Sequence, residues 1–236
     1  MLEINEIINR LKEIKKQGYI KSNRKGSTGV GKTLEDLLGI TENNLSLPDF
    51  GEVELKSMRS GDNSMLTLFT FNKKAWKMDQ LEAIEKFGSF DSNGRKGLYY
   101  TLSTVPNSHG LFTYVDKDSV QVRSIDGEVI VKWLLDDLVE QFENKVKNIL
   151  LVNAQVEERD EIEYFYYDRA RLLSGGTENS ILSNQFKEGQ IVIDLRLHKK
   201  VNSNSKPVSR NHGTGFRVRQ SNLVNMYENI SEINLD

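Results

Sequence analysis

Between Pro48 and Lys56 the chain reads Pro-Asp-Phe-Gly-Glu-Val-Glu-Leu-Lys, and Glu52 to Met58 alternate as a strand does. Side chains two apart on a strand share a face at a spacing of about 7 Å, so any fold must present Glu54 and Lys56 together. Asp49 lies just before this strand, where the chain can bend its carboxylate back towards Glu54. Two carboxylates hold a hard, oxygen-seeking cation such as Mg²⁺, and the neighbouring ammonium can orient or help deprotonate a water and neutralise a phosphate. The spacing is that of a metal-dependent phosphodiesterase. Glu52 falls on the same face as Glu54 and competes with it as the second ligand.

A chain of 236 residues forms one large domain or two lobes with ample core. No apolar run approaches the roughly 20 residues that span a bilayer, and the opening Met1 to Glu6 lacks a basic-then-apolar secretion pattern, so a cytoplasmic protein is expected. The absence of cysteine excludes disulfides, thiolate zinc sites and cysteine nucleophiles. Net charge is -2, but its distribution is uneven. Arg196 to Arg219 carries seven Lys and Arg residues with His198 and His212 and no acid, and Lys12 to Lys32 is basic against Glu13 alone. Both runs flank the candidate metal site, which points to a phosphate-lined cleft.

Helical spacing of Ile4, Ile7, Ile8, Leu11 and Ile14 predicts a first helix ending near Gly18, and a second runs from Thr33 to Leu38. After the 52–58 strand, the turn Ser60-Gly-Asp-Asn-Ser and a strand from Met65 to Phe71 predict a hairpin. Trp76 to Phe87 reads as helix. Strands at 97–102, 111–115, 119–122 and 128–131 read as an antiparallel meander, and Leu135 to Val146 as an amphipathic helix. Apolar runs follow at 148–152 and 163–167; the aromatics Tyr164 to Tyr167 read as strand core rather than as base-stacking groups. A helix near 180–185, a strand at 190–197, a basic loop from Lys199 to Asn211, a strand at 213–218 and a closing helix complete the chain.

Gly26-Ser-Thr-Gly-Val-Gly-Lys32-Thr33 fits the phosphate-binding loop pattern G-x-x-x-x-G-K-[ST], with Ile191-Val-Ile-Asp194 as a candidate second strand. This makes a nucleotide hydrolase a rival reading. The segment before the loop, Tyr19 to Lys25, is polar and basic where that site requires a buried strand. The same glycines and helix start can instead hold a DNA phosphate, with Lys25 and Lys32 beside it and Glu35 near the metal site.

Gly26-x-x-Gly-x-Gly-Lys-Thr-Leu-Glu35, Pro48-Asp49-Phe-x-x-Val-Glu54-Leu-Lys56 and Leu66-Thr-Leu-Phe69-Thr together resemble the MvaI/BcnI family of type II restriction endonucleases, relatives of the repair nickase MutH. Val192-Ile-Asp194-Leu-Arg196 and His212-Gly-Thr-Gly-Phe-Arg217 resemble that family's base-reading segments. The resemblance implies an α+β fold with a mixed sheet, a PD-(D/E)xK core of MutH type, and two lobes around a DNA cleft: a catalytic lobe over approximately 1–90 and a recognition lobe over approximately 91–236. It implies Asp49 and Glu54 as ligands of Mg²⁺, with Mn²⁺ a workable substitute, Lys56 positioning the attacking water, and Glu35 supporting the site. Arg196 and Arg217 would fork onto guanine O6 and N7, Asp194 would accept from cytosine N4, and His212 would contact DNA. The implied enzyme is a monomer that cleaves duplex DNA at short pseudosymmetric sites of the CC-x-GG kind, leaving 5′-phosphates. Its partner would be a cognate DNA methyltransferase, with no stable complex and no membrane. A MutH-like nickase dependent on protein partners and a binding-only protein are the alternatives.

Overall fold

A computed structural model describes residues 4–40, 48–49, 51–72 and 74–236. In chain order these residues form α1 (Ile4–Lys16), β1 (Ile20–Lys21), α2 (Gly29–Leu38), β2 (Val53–Arg59), β3 (Met65–Thr70), α3 (Gln80–Phe87), β4 (Ser89–Phe90), β5 (Lys96–Leu102), β6 (Leu111–Val115), β7 (Ser119–Ser124) and β8 (Val129–Leu134). The remainder is α4 (Leu135–Val146), β9 (Asn148–Arg159), β10 (Ile162–Ser174), α5 (Asn179–Lys187), β11 (Ile191–Val201), β12 (Pro207–Asn211), β13 (Gly215–Arg219), a 3₁₀ turn at Gln220–Met226 and β14 (Asn229–Ile233). The fold is mixed α+β, and no described helix is long and apolar enough to cross a membrane.

Two compact units divide the chain, and neither is continuous in sequence. The first takes residues 1–64, 143–177 and 223–236, the second 65–142 and 178–222. No single cut, near residue 90 or elsewhere, separates them.

In the first unit the sheet runs β1-β10-β9-β2, with β14 paired to β10. The long antiparallel hairpin β9–β10 forms its centre, and β2 joins β9 in parallel from Val53↔Asn148 to Arg59↔Ala154. Ile7, Leu11 and Ile14 make one stripe on α1 because their spacing follows the helical turn. That stripe packs with Val30, Leu34 and Leu38 of α2, with Leu55 of β2, and with Leu150, Val152, Phe165 and Tyr167. Phe165 and Tyr167 are fully buried, as their reading as core aromatics requires.

In the second unit β3-β13-β11-β5-β4 form an antiparallel sheet with β12 paired to β11, while β6-β7-β8 form a separate meander. Alternation sends Ile191, Ile193, Leu195, Leu197, Phe216 and Val218 into the core. Phe216 is its hub, with ring centroids 5.0 Å from Phe69, 5.2 Å from Trp133 and 6.0 Å from Phe186. Asp194, Arg196 and Arg217 occupy the alternate positions, on the other face.

Several local expectations are corrected. The 52–58 and 65–71 strands do not form a hairpin: β2 pairs with β9 and β3 with β13, and the amide of Ser60 binds the Ala154 carbonyl at 2.8 Å. Turn residues announce a change of direction but not the next partner. Strand β5 belongs to the sheet of β11 rather than to the meander. The basic segment after Lys199 is the hairpin β11–β12, and the closing helix is a 3₁₀ turn followed by β14. Trp76 bridges to Val131, and α3 begins later, where Asp79 accepts from the amides of Leu81 and Glu82. Helix α2 begins at Gly29, so Thr33 lies inside it and accepts from the amide of Asn23.

Candidate active site

Glu54 and Lys56 project from one face of β2, as the alternation requires. Glu54 is 4% exposed: Lys56 Nζ donates to its Oε1 at 2.5 Å, whereas Oε2, buried and without a hydrogen-bond partner, has the Lys145 Nζ at an ion-pair distance of 2.9 Å. Lys145 comes from the last turn of α4, where the carbonyl ends of the helix favour a cation. Asp49 stands half-buried ahead of β2, and its Oδ2 accepts from the Leu55 amide at 3.0 Å. Burial and then the charge of Glu54 push the Asp49 carboxyl above its usual range, while the Leu55 amide, Lys56 and Lys145 pull it back. That response to Glu54 is what two carboxylates aimed at one region produce, and a divalent cation between them would relieve it.

The donor set fits a hard cation. Two carboxylates supply oxygen ligands to such a cation, and water and substrate oxygens would complete its shell. Glu52 is exposed and precedes β2, with its carbonyl accepting from Asn148 Nδ2 at 3.2 Å; Glu54 is the carboxylate the strand buries.

The opposite face of β2, carrying Leu55, Ser57 and Arg59, packs on α2. A Cβ built on Gly31 would lie 3.5 Å from Ser57 Oγ and 3.9 Å from Glu35 Oε1, so Glu35 reaches the strand on this side. Arg59 fastens the glycine loop: its guanidinium donates to the carbonyls of Ser27 and Gly26 at 2.9 Å each and to both carboxylate oxygens of Glu163. Tyr167 donates to the Val30 carbonyl at 2.8 Å. Lys32 lies within α2 and pairs with Asp36 at 2.9 Å, and β1 is a two-residue strand pairing antiparallel to β10. This departs from the buried parallel strand and free lysine of a nucleotide loop. Lys25 is exposed and, with Lys21, Arg24 and Arg59, lines an open groove of about 610 Å³ that Glu158 and Glu163 share.

In the second unit Asp194, Arg196 and Arg217 form one cluster. Asp194 Oδ2 accepts from Arg217 Nη1 at 2.9 Å and Arg196 Nη2 at 3.3 Å, and Oδ1 accepts from Thr101 Oγ1 at 2.6 Å. Arg217 Nη2 donates to the Met65 carbonyl at 3.0 Å, which fixes its plane. Gly215 stands opposite Asp194, and a Cβ there would collide with the Arg196 guanidinium. His212 donates its amide to the Arg196 carbonyl, and its ring stacks on His198 at 5.5 Å. His198 in turn stacks on Tyr99 and shares a 2.6 Å hydrogen bond with its hydroxyl.

Sequence reasoning missed Lys145, Thr101 and Tyr99. Lys145 had one visible sign, a cation in the last turn of the amphipathic 135–146 helix. Thr101 and Tyr99 had only their alternation along β5, which any half-buried strand shows.

A search of curated proteins returns no match. Among solved structures, the chain is similar to the restriction endonuclease MvaI in complex with its cognate DNA substrate, at 28% identity and TM-score 0.79, covering 99% of this chain and 100% of that one. It is also similar to MvaI in the absence of DNA, at 26% identity and TM-score 0.55, with 99% of both chains covered. The model of the MvaI/BcnI restriction endonuclease family matches residues 8–227, which carry both clusters described above. The chain therefore belongs to the MvaI/BcnI restriction endonuclease family and is a site-specific DNA nuclease.

Proposed function

We propose that this nuclease cleaves both strands of duplex DNA at a short pseudosymmetric G/C-rich site of the CC-x-GG kind, with Mg²⁺ as cofactor and 5′-phosphate ends as products. The observation that carries this reading is the Glu54 cluster: a buried carboxylate flanked by Lys56 on its own strand, with Asp49 responding to its charge. Asp49 and Glu54 would hold the cation, whose role is to lower the pKa of water and draw charge from the phosphate. Lys56, already oriented by Glu54, would aim the water in line with the departing 3′ oxygen. Glu35 would support the arrangement from α2, by way of the Ser57 face of β2.

The first unit would act as the catalytic lobe and the second as the recognition lobe. Arg196, held by Asp194 through Nη2, would present the rest of its fork to guanine O6 and N7, and Arg217, held through Nη1 by Asp194 and through Nη2 by the Met65 carbonyl, would offer the second N–H of each terminal nitrogen. Asp194 would accept from cytosine N4, and His212, Lys25 and Lys32 would contact the duplex. The enzyme would act as a monomer in the cytoplasm, beside a methyltransferase with which it forms no stable complex.

Digestion of DNA of known sequence with Mg²⁺, followed by sequencing of the ends, tests the reading. One recurrent short site with 5′-phosphates and cuts in both strands is expected. Cuts in one strand only would favour a MutH-like nickase, and full cleavage by Asp49→Ala or Glu54→Ala would overturn the assigned centre.

A further inference from the structure

Lys145 has no part in the chemistry above, yet it is the closest described cation to Glu54 Oε2, at 2.9 Å. Its side chain is 17% exposed against 5% for that of Glu54, so the contact is held away from bulk water. The backbone behind it is pinned. The buried Tyr227 hydroxyl donates to the Val146 carbonyl at 2.6 Å, fixing the end of α4 one residue beyond Lys145.

Charge explains why a second ammonium is needed. Asp49 and Glu54 bring two negative charges, and Lys56 alone returns one. A buried carboxylate without a second ammonium would swing towards water, and that would spoil its aim as a ligand. Lys145 brings the group to neutrality. It does so at the wrong place for a bystander: Lys56 occupies Oε1, so Oε2 is the oxygen left for a divalent cation, and Lys145 sits on it.

We propose that Lys145 is a positioning residue that stands in for the cation, holding the Glu54 carboxylate in place until metal displaces the ammonium from Oε2. The proposal rests on the reading of Glu54 as a metal ligand. A lysine suits the task because its compact charge rides on a flexible four-carbon stem, which can leave and return without disturbing α4. The consequence is competition. Metal binding must break one ammonium–carboxylate contact, so removing Lys145 raises metal affinity while lowering stability in the metal-free state.

The test measures Mn²⁺ uptake by the full chain without DNA, from the loss of the free-ion electron paramagnetic resonance signal. Wild type is compared with Lys145→Met, Lys145→Arg and Glu54→Gln, and each is also melted in EDTA and in Mn²⁺. Lys145→Met should bind Mn²⁺ roughly tenfold tighter, the worth of one charge-assisted contact, and should melt below wild type in EDTA but recover with Mn²⁺. Lys145→Arg should bind as wild type does. Should the Met variant not fold, Lys145→Gln replaces it, with the same direction expected. Unchanged or weaker Mn²⁺ binding by a folded Lys145→Met or Lys145→Gln protein would overturn the stand-in role. Wild-type binding by Glu54→Gln, or no saturable uptake by wild type, would instead overturn Glu54 as a ligand.

Discussion

Removing the Asp194 carboxylate should cost the protein about 2–3 kcal/mol, because that group bridges two guanidinium forks and offsets their mutual repulsion. Its side chain is 12% exposed, whereas those of Arg196 and Arg217 are 31% and 30% exposed. The cluster therefore falls between exposed pairs, worth up to about 1 kcal/mol, and buried pairs, whose rupture costs about 3–5 kcal/mol. Asp194→Ala loses the 2.9 Å contact from Arg217, worth about 1.5 kcal/mol at this exposure, the weaker 3.3 Å contact from Arg196, and the Thr101 bond, worth about 1 kcal/mol. Asp194→Asn should cost about half as much, since a flipped amide still accepts from Arg217 and donates to Thr101. Thermal unfolding reads this as a drop of about 4–12 °C for the Ala variant. A double-mutant cycle with Arg217→Leu separates lost contacts from guanidinium repulsion: the double variant should be at least about 1 kcal/mol more stable than additivity predicts. An Asp194→Ala protein within about 0.5 kcal/mol of wild type, or strict additivity, would refute the role of Asp194 as the keystone of the cluster.

Gly215→Ala places a Cβ against the Arg196 guanidinium and should keep the fold while lowering discrimination between the preferred site and one-base variants by about 1–3 kcal/mol, measured as a ratio of cleavage rates. An unchanged ratio would remove Arg196 from the reading set. Gly39 ends α2 with φ +71°, so Gly39→Ala should destabilise by about 1 kcal/mol in urea unfolding, and Gly94→Ala, equally left-handed but in a loop of the second unit, should cost as much without altering Mn²⁺ uptake. Burial, followed by Arg95, His212 and Arg210, lowers the pKa of His198, with Asp91 opposing. The unfolded chain then binds the extra proton first as pH falls through about 6.5, so stability should decline from there down to the folded pKa and stay level below it. His198→Phe should flatten that decline in melting temperature between pH 8 and 5, and an equally steep loss in the variant would exclude His198 as its source.

Strand β2 and the helices α1 and α4 were legible because their signals are local. Glu54 and Lys56 share a face by the two-residue period, and Ile7, Leu11 and Ile14 by the helical one, with no knowledge of the rest of the chain. Asp194, Arg196 and Arg217 stood out through the family resemblance, but their mutual contacts did not. Nothing in Val192 to Arg196 says that Thr101 will bond Asp194, because that depends on the register Asp194↔Thr101 across two distant strands. The same limit hid the partners of β2 and β3. Their apolar alternation fits a hairpin as well as it fits two separate sheets, and only long-range burial decides.

The parallel pairing of β2 with β9 ties these misses together. Parallel neighbours cannot be joined by a tight turn and need a crossover connection. Here that crossover is the chain from Ser60 to Lys147, which holds the first part of the second unit and the whole of α4. The sheet of the second unit is therefore begun inside a connection between two adjacent strands of the first unit's sheet and finished, through β11 and β13, in a second insertion after β10. Because the crossover must return to β9 beside β2, its last helix ends next to Glu54, and this is what delivers Lys145 to a carboxylate far from it in sequence. A search for site residues confined to the neighbourhood of Asp49 could not reach it. The topology requires that some residue of the returning helix end face the catalytic strand, and the sequence places a lysine there.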